Sequence, residues 1–135
     1  MPIERINLYP DYDPTFSTCV VAGDFVFTSH VAGLDEEGKW PGSVEEQTAH
    51  CFRNLEKTLN AAGATLSDVV KMTVYLKNIE DFARMREVYR EKFTDGYPAR
   101  MTATSVFIDS EILVIIDGGR GLQAQVAKAG SSPAW

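Results

Sequence analysis

The sequence predicts an α+β protein in which a mixed β-sheet is packed on one face by two α-helices. Two segments carry apolar residues at the spacing of amphipathic helices, and the segments around them are rich in β-branched and aromatic residues. The resulting order ββ, α, β, α, ββ requires at least one crossover connection, so parallel and antiparallel neighbours are expected in one sheet. Helices on one face of that sheet bury both apolar stripes.

The composition indicates a single globular domain. The chain has 135 residues, of which 44% are hydrophobic and 24% charged. We expect residues 1–128 to form this domain and residues 129–135, AGSSPAW, to be a flexible C-terminal tail. The net charge of -6 and the lack of a Lys/Arg cluster argue against partners such as nucleic acid or an anionic membrane.

The sequence also lacks the motifs of targeting segments, membrane spans and metal sites. The N-terminal segment MPIERINLYP lacks the basic region followed by an apolar run that is typical of a signal peptide, and no stretch approaches the roughly 18 apolar residues of a membrane span. A cytoplasmic protein is therefore expected. Cys19 and Cys51 have no disulfide or zinc spacing, so we expect reduced thiols. Because His30 and His50 form no ligand motif, no metal site is predicted.

The first half of the chain predicts a hairpin followed by a helix. In TCVVAGDFVFTSHVAG, apolar and β-branched runs flank a Gly23-Asp24 turn. Ser43 with Glu46 three residues later forms a capping-box pattern, and Gly63 supplies a helix end. The helix predicted over residues 44–62 has an apolar stripe of Thr48, Phe52, Leu55, Leu59 and Ala62.

The second half predicts one more helix among strands. DVVKMTVYLKN alternates apolar and polar residues, as a strand with one core face does. Asn78 is a candidate N-cap for a helix over residues 79–93, whose apolar stripe comprises Phe82, Met85, Tyr89 and Phe93. MTATSVFI and EILVIID have strand composition, and LQAQVAKA is a candidate further strand. In EILVIID, apolar residues occupy both alternating sets of positions, which point to opposite faces of the sheet. We therefore expect self-association to bury the second face.

The segment NLEKTLNAAGATLSDVVKMTVYLKNIEDFARMREVYREKF, followed by YPAR, resembles the Rid family of reactive intermediate deaminases, also called YjgF-like or endoribonuclease L-PSP proteins. The resemblance extends over about residues 16–118. It implies a chorismate-mutase-like fold assembled as a homotrimer with a central β-barrel and pockets between adjacent subunits. It also implies hydrolysis of enamines, through their imine tautomers, to a 2-oxo acid and ammonia without a cofactor.

The resemblance assigns substrate binding first to Arg100, the arginine of the Pro-Ala-Arg segment. A guanidinium can bind a carboxylate with two parallel hydrogen bonds. The alternative is a structural role, in which Arg100 forms an interfacial salt bridge or covers apolar surface with its aliphatic stem. Family members usually carry Tyr, Ser-Gly-Gln, Cys and Glu at the remaining pocket positions. In this chain the matching residues are Phe16, the Ser29-His30-Val31 triplet, Thr102 and Ile115, so that only the serine is kept.

Loss of the family glutamate bears on catalysis, because imine hydrolysis needs a group that orients water and passes protons. If the chain aligns with the family without a gap, the positions of the two family glutamates hold Ile115 and Asp117, which share a strand face. If a loop is inserted before the last strand, these positions hold Gln123 and Gln125 instead. Asp117 and His30 are therefore the candidate proton carriers, although a lone histidine at a strand end is more often structural.

Three functions are compatible with this pattern. The first is a Rid-like deaminase acting on a small carboxylate-bearing imine. The second is a trimeric protein that binds a keto or carboxylic acid and has lost catalysis with the glutamate. The third, a ribonuclease, is weakest because the chain is acidic and has no basic groove. Arg86 on the second helix is expected to be a solvated charge.

Overall fold

The computed structural model describes residues 2–118. The helices are α1 (Val44–Ala61) and α2 (Phe82–Arg90), and 3-10 turns lie at Leu66–Asp68 and Ile79–Asp81. The strands are β1 (Ile3–Ile6), β2 (Cys19–Ala22), β3 (Phe25–Thr28), β4 (Val31–Ala32), β5 (Lys71–Leu76), β6 (Ala99–Thr104) and β7 (Val114–Asp117). No helix in this part of the chain is long and apolar enough to cross a membrane.

Helix α1 begins and ends where the sequence predicts. The hydroxyl of Ser43 accepts a hydrogen bond from the Glu46 N–H at 3.1 Å, and it donates to the Glu46 carboxylate at 3.2 Å. Gly63 has a φ of 79°, the left-handed conformation that glycine adopts without strain. The local signals of the chain are therefore sufficient to define this helix.

The strands form an α+β structure with mixed pairing, as predicted, but their hydrogen bonds divide them into two sheets rather than one. β1, β2 and β3 form an antiparallel sheet, and the second sheet has the order β4-β7-β5-β6. In the second sheet β5 and β6 are parallel, and the other pairs are antiparallel. The division falls at Ser29 and His30, the two residues between β3 and β4.

The two faces of the four-stranded sheet differ in burial. Residues paired across neighbouring strands share a face. The helix-facing side carries five fully buried residues: Met72, Val74, Leu76, Val114 and Ile116. The opposite side, which we call the open face, carries half-buried or exposed residues: Thr73, Tyr75, Met101, Ile115 and Asp117. Helix α1 packs against β4, β7 and α2.

Both cysteines belong to the core and are free thiols. The Cys51 thiol donates weakly to the carbonyl oxygens of Val31 and Val114, at 3.7 Å and 3.6 Å. Burial raises the pKa of both thiols above the ordinary value, and the nearby Glu4 charge adds to the effect at Cys19. The thiolate forms are disfavoured, so neither cysteine has the character of a reactive nucleophile.

Three details differ from the sequence prediction. β1 was not predicted; it pairs with β2 as an edge strand. The second helix is split into the 3-10 turn and α2, which ends at Arg90. β6 ends at Thr104, and Val106 and Ile108 beyond it are 96% and 98% exposed. The candidate strand LQAQVAKA, with Gln123 and Gln125, and the predicted tail at residues 129–135 lie outside the described residues.

Candidate functional site

Arg100 lies on β6, the strand at the edge of the four-stranded sheet. The parallel ladder pairs it with Met72, so its side chain is directed to the helix-facing side. There its guanidinium carbon lies 4.9 Å from the centroid of the Tyr89 ring and 5.5 Å from that of Phe82. Both rings belong to α2. Packing of α2 beside β6 therefore fixes the position of the arginine.

Arg100 lines two open pockets. One, of about 380 Å³, is lined by Arg86, Tyr89, Arg90, Tyr97, Pro98 and Arg100. The other, of about 570 Å³, is lined by Leu76, Ile79, Phe82, Arg100, Thr102, Ala103 and Thr104. Their sizes fall in the range of small-molecule sites. No carboxylate of residues 2–118 forms a salt bridge with Arg100.

Two hydroxyl groups beside Arg100 are buried without a hydrogen-bond partner among the described residues: those of Tyr89 and Thr102. Tyr89 is only 3% exposed. Burial raises the pKa of its phenol, although the Arg100 charge lowers it, so the group remains a neutral hydrogen-bond donor. Buried polar atoms are nearly always paired in native proteins, so an unpaired hydroxyl on a lining residue of each pocket indicates a missing partner.

The other candidate residues gather at a different place, around the end of β7. Continuing the β4–β7 register by one residue brings the backbones of His30 and Asp117 side by side. The Thr28 hydroxyl donates to the Asp117 carboxylate at 3.4 Å. Ile115 is half-buried between Ala32 and Tyr75 in the sheet. His30 itself is exposed.

Ser29 connects this place to the loop that carries Phe16. Its hydroxyl donates to the Ser17 carbonyl oxygen at 2.7 Å, and its N–H donates to the Thr18 carbonyl oxygen at 2.9 Å. The half-buried Phe16 precedes this attachment directly. The structure thus brings Ser29, His30 and Asp117 together and anchors the Phe16 loop to the same end of the sheet.

The predicted site residues therefore form two groups. The Arg100 half-site consists of Arg100 and Thr102 with the α2 rings, on the helix-facing side of β6. The Asp117 half-site consists of Phe16, Ser29, His30, Ile115 and Asp117, of which the two β7 residues lie on the open face. One chain alone does not bring Asp117 to Arg100.

Comparison with known proteins gives the same family by sequence and by structure. The family model described as Endoribonuclease L-PSP matches residues 10–117. The chain belongs to the endoribonuclease L-PSP family. A RutC family protein of Pyrococcus abyssi is 39% identical to this family member over 101 residues, which cover 73% of this chain and 80% of the relative.

Two further proteins to which this L-PSP family member is similar have informative names. A 2-iminobutanoate/2-iminopropanoate deaminase of Rattus norvegicus is 34% identical over 87 residues, which cover 63% of this chain and 64% of the relative. The crystal structure of E. coli TdcF with bound serine has a TM-score of 0.73 and 27% identity, and covers 78% of this chain and 87% of that one. The resemblance to the Rid family and the fold class predicted from the sequence are confirmed.

In this L-PSP family member, part of the surroundings of Arg100 was not predicted from the sequence. Arg86, expected to be a solvated charge, lines a pocket with Arg100, and its guanidinium carbon lies 5.2 Å from the Phe82 ring centroid. Tyr89, predicted as core, is buried and also lines that pocket. The sequence did contain one indication: Arg86 and Arg90 are four residues apart, so they are neighbours on one face of the helix. No group of His, Cys, Asp or Glu within residues 2–118 could hold a metal ion.

Proposed function

We propose that this protein is an imine deaminase, which hydrolyses a small carboxylate-bearing imine or its enamine tautomer to a 2-oxo acid and ammonia. The observation that carries the proposal is Arg100, a cation without a salt-bridge partner among the described residues, which lines both pockets and lies over the rings of Phe82 and Tyr89. The name of the rat relative and the serine bound to TdcF agree with a carboxylate ligand.

Arg100 would bind the substrate carboxylate through the N–H groups at its edge. The contacts of Arg100 with the aromatic rings are cation–π contacts, and no described carboxylate forms a salt bridge with it, so its N–H donors remain available for a bidentate contact. The orphan hydroxyl of Thr102, two residues along on the same face of β6, would add a hydrogen bond from the neighbouring side. Binding at this position would leave the imine carbon in the pocket beyond Arg100.

We further propose that the active protein is a homotrimer in which the Asp117 half-site of one subunit meets the Arg100 half-site of another. β6 is an edge strand, and the open face exposes Met101 to 50%, which supports burial by a second copy. In that arrangement Asp117 or His30 would orient the attacking water. Water adds to the imine carbon, and the nitrogen takes up protons and leaves as ammonia.

A ligand-binding protein without catalysis is the second candidate function. Ile115 favours it, because an aliphatic side chain can neither deprotonate water nor protonate a leaving nitrogen. The Arg100 half-site would then bind a keto or carboxylic acid that is released unchanged. This function predicts tight, Arg100-dependent binding of a 2-oxo acid together with no acceleration of imine hydrolysis.

The deciding experiment measures ammonia release from enzymatically generated 2-aminoacrylate. The wild-type protein should accelerate release, and Arg100→Ala should lower the acceleration on the order of 10- to 100-fold, since a charge-assisted contact is lost. Arg53→Gln is the matched control, because Arg53 pairs with Glu36 at an exposed site on α1. Equal rates with and without protein, while a 2-oxo acid still binds, would favour the binding function.

A further inference from the structure

The pocket on the Tyr97 side of Arg100 concentrates positive charge in an acidic protein. Of the six residues that line it, three are arginines: Arg86, Arg90 and Arg100. The whole chain carries a net charge of -6. We call this pocket the arginine groove. A local concentration of cations against the overall charge is the usual feature of a site for an anion.

The charges of the arginine groove are only partly compensated within residues 2–118. Arg90 lies 3.7 Å from the Glu87 carboxylate, in an exposed pair of little strength. Arg86 and Arg100 form no salt bridge with a described carboxylate. Arg86 and Arg90 are four residues apart on one helix, where like charges repel. An anion bound between α2 and β6 would relieve this repulsion.

The aromatic contacts of the groove leave the arginines able to bind. The guanidinium carbon of Arg86 lies over the Phe82 ring, and that of Arg100 lies over the rings of both Phe82 and Tyr89. Neither arginine forms a salt bridge with a described carboxylate, so the N–H donors of both remain available. Tyr97 is stacked on Tyr89, with ring centroids 6.3 Å apart, and its hydroxyl donates to the Arg90 carbonyl oxygen at 2.9 Å. These contacts hold the groove in place without using its charged donors.

An independent observation indicates a ligand here. The Tyr89 hydroxyl is buried, has no partner among the described residues, and belongs to a side chain that lines the groove. As a neutral phenol it is a donor as well as an acceptor. A carboxylate between the arginines would accept its hydrogen bond and so complete the pairing that the chain alone leaves open.

We propose that the substrate carries two carboxylates: Arg100 binds the one next to the imine carbon, and Arg86 with Arg90 binds the distal one in the arginine groove. The substrate class is the imine of a 2-oxo dicarboxylic acid. This inference rests on the proposed function in taking Arg100 as the ligand of the reacting end. The reaction consumes one water and releases one ammonia, and both carboxylates remain unchanged.

The test compares binding of 2-oxoglutarate and 2-oxobutanoate by isothermal titration calorimetry. We expect wild-type protein to bind 2-oxoglutarate more tightly by about 10-fold or more, because one further charge-assisted contact forms. Arg86→Gln should remove most of this preference and leave 2-oxobutanoate affinity nearly unchanged. Arg53→Gln, which removes the same charge from α1, should alter neither affinity. Arg86 is exposed, so its replacement should not unfold the protein.

The outcomes separate this inference from the deaminase proposal. Equal affinities in the wild type, or an equal loss for both acids in Arg86→Gln, would overturn the dicarboxylate assignment, even if monocarboxylate imines are deaminated. A preference for 2-oxoglutarate that disappears in Arg86→Gln would support it. If that preference is found but no imine of either class is hydrolysed faster, the ligand class stands and the deaminase proposal fails.

Discussion

Arg100 and Asp117 lie on opposite faces of the same four-stranded sheet. On β5, Met72 is paired with Arg100 and the next residue, Thr73, with Asp117, and successive residues of a strand point to opposite sides. The guanidinium contacts the rings of α2, whereas the Asp117 carboxylate lies on the open face near Thr28. A pocket that uses both residues must therefore combine two subunits.

The first prediction is recovery of activity by mixing two impaired variants. Arg100→Ala keeps an intact Asp117 half-site, and Asp117→Asn keeps an intact Arg100 half-site. In mixed trimers co-expressed at equal amounts, about a quarter of the interfaces should combine the two intact halves. Deaminase activity of the mixture should rise to that fraction of wild type, measured as ammonia release by purified trimers.

The control for this prediction is a mixture of wild type with the double variant. It should retain about a quarter of the sites if each pocket is shared between subunits, and about half if each lies in one subunit. Purified mixed trimers of the two single variants that show no recovery would mean that Arg100 and Asp117 do not act in one pocket.

The second prediction concerns the orphan hydroxyl of Tyr89. Tyr89→Phe removes a buried polar atom that has no partner in the described chain, so the free energy of unfolding should stay the same or rise by up to about 1 kcal/mol. Carboxylate affinity should fall several-fold. Tyr97→Phe is the control, because it removes a hydroxyl already bonded to the Arg90 carbonyl oxygen. A marked loss of stability in Tyr89→Phe would show that the hydroxyl is paired within the protein.

The third prediction concerns Gln47, whose buried amide holds the segment that leads into β7. Its nitrogen donates to the carbonyl oxygens of Pro41 and Glu111, and its oxygen accepts from the Leu113 N–H at 2.8 Å. Gln47→Leu should lower the free energy of unfolding by about 2 to 3 kcal/mol, because three backbone groups lose their partner. Urea denaturation measures the effect.

An exposed amide on the same helix provides the control for Gln47. Asn60→Leu should change stability by less than about 0.5 kcal/mol. If Gln47→Leu lowers the free energy of unfolding no more than Asn60→Leu does, water satisfies the freed backbone groups. In that case the Gln47 amide does not position β7.

The fourth prediction concerns the contact between Gly33 and α1. A Cβ atom at Gly33 would lie 2.2 Å from the Gln47 carbonyl oxygen, whereas one at Gly42 would meet nothing within 4 Å. Gly33→Ala should therefore cost about 1 to 3 kcal/mol through overpacking. Gly42→Ala, whose φ is not positive, should be neutral or slightly stabilising. Equal melting temperatures for the two variants would show that α1 shifts freely.

The sequence by itself determined the local elements and the family. Helix α1 follows from Ser43, Glu46 and Gly63, because capping and termination depend on residues only a few positions apart. Alternation predicted β5, and the Pro-Ala-Arg motif singled out Arg100. The same local patterns missed β1, since a strand on an edge is defined by its partner β2 rather than by its own composition.

Only the tertiary structure decided how the site residues are distributed. That Arg100 and Asp117 point to opposite faces depends on the register of β6 and β7 against β5. That Arg86 joins Arg100 depends on the packing of α2 beside β6. These arrangements arise from contacts between segments far apart in the chain. The spacing of apolar residues within one segment does not specify which strand it pairs with or in which register.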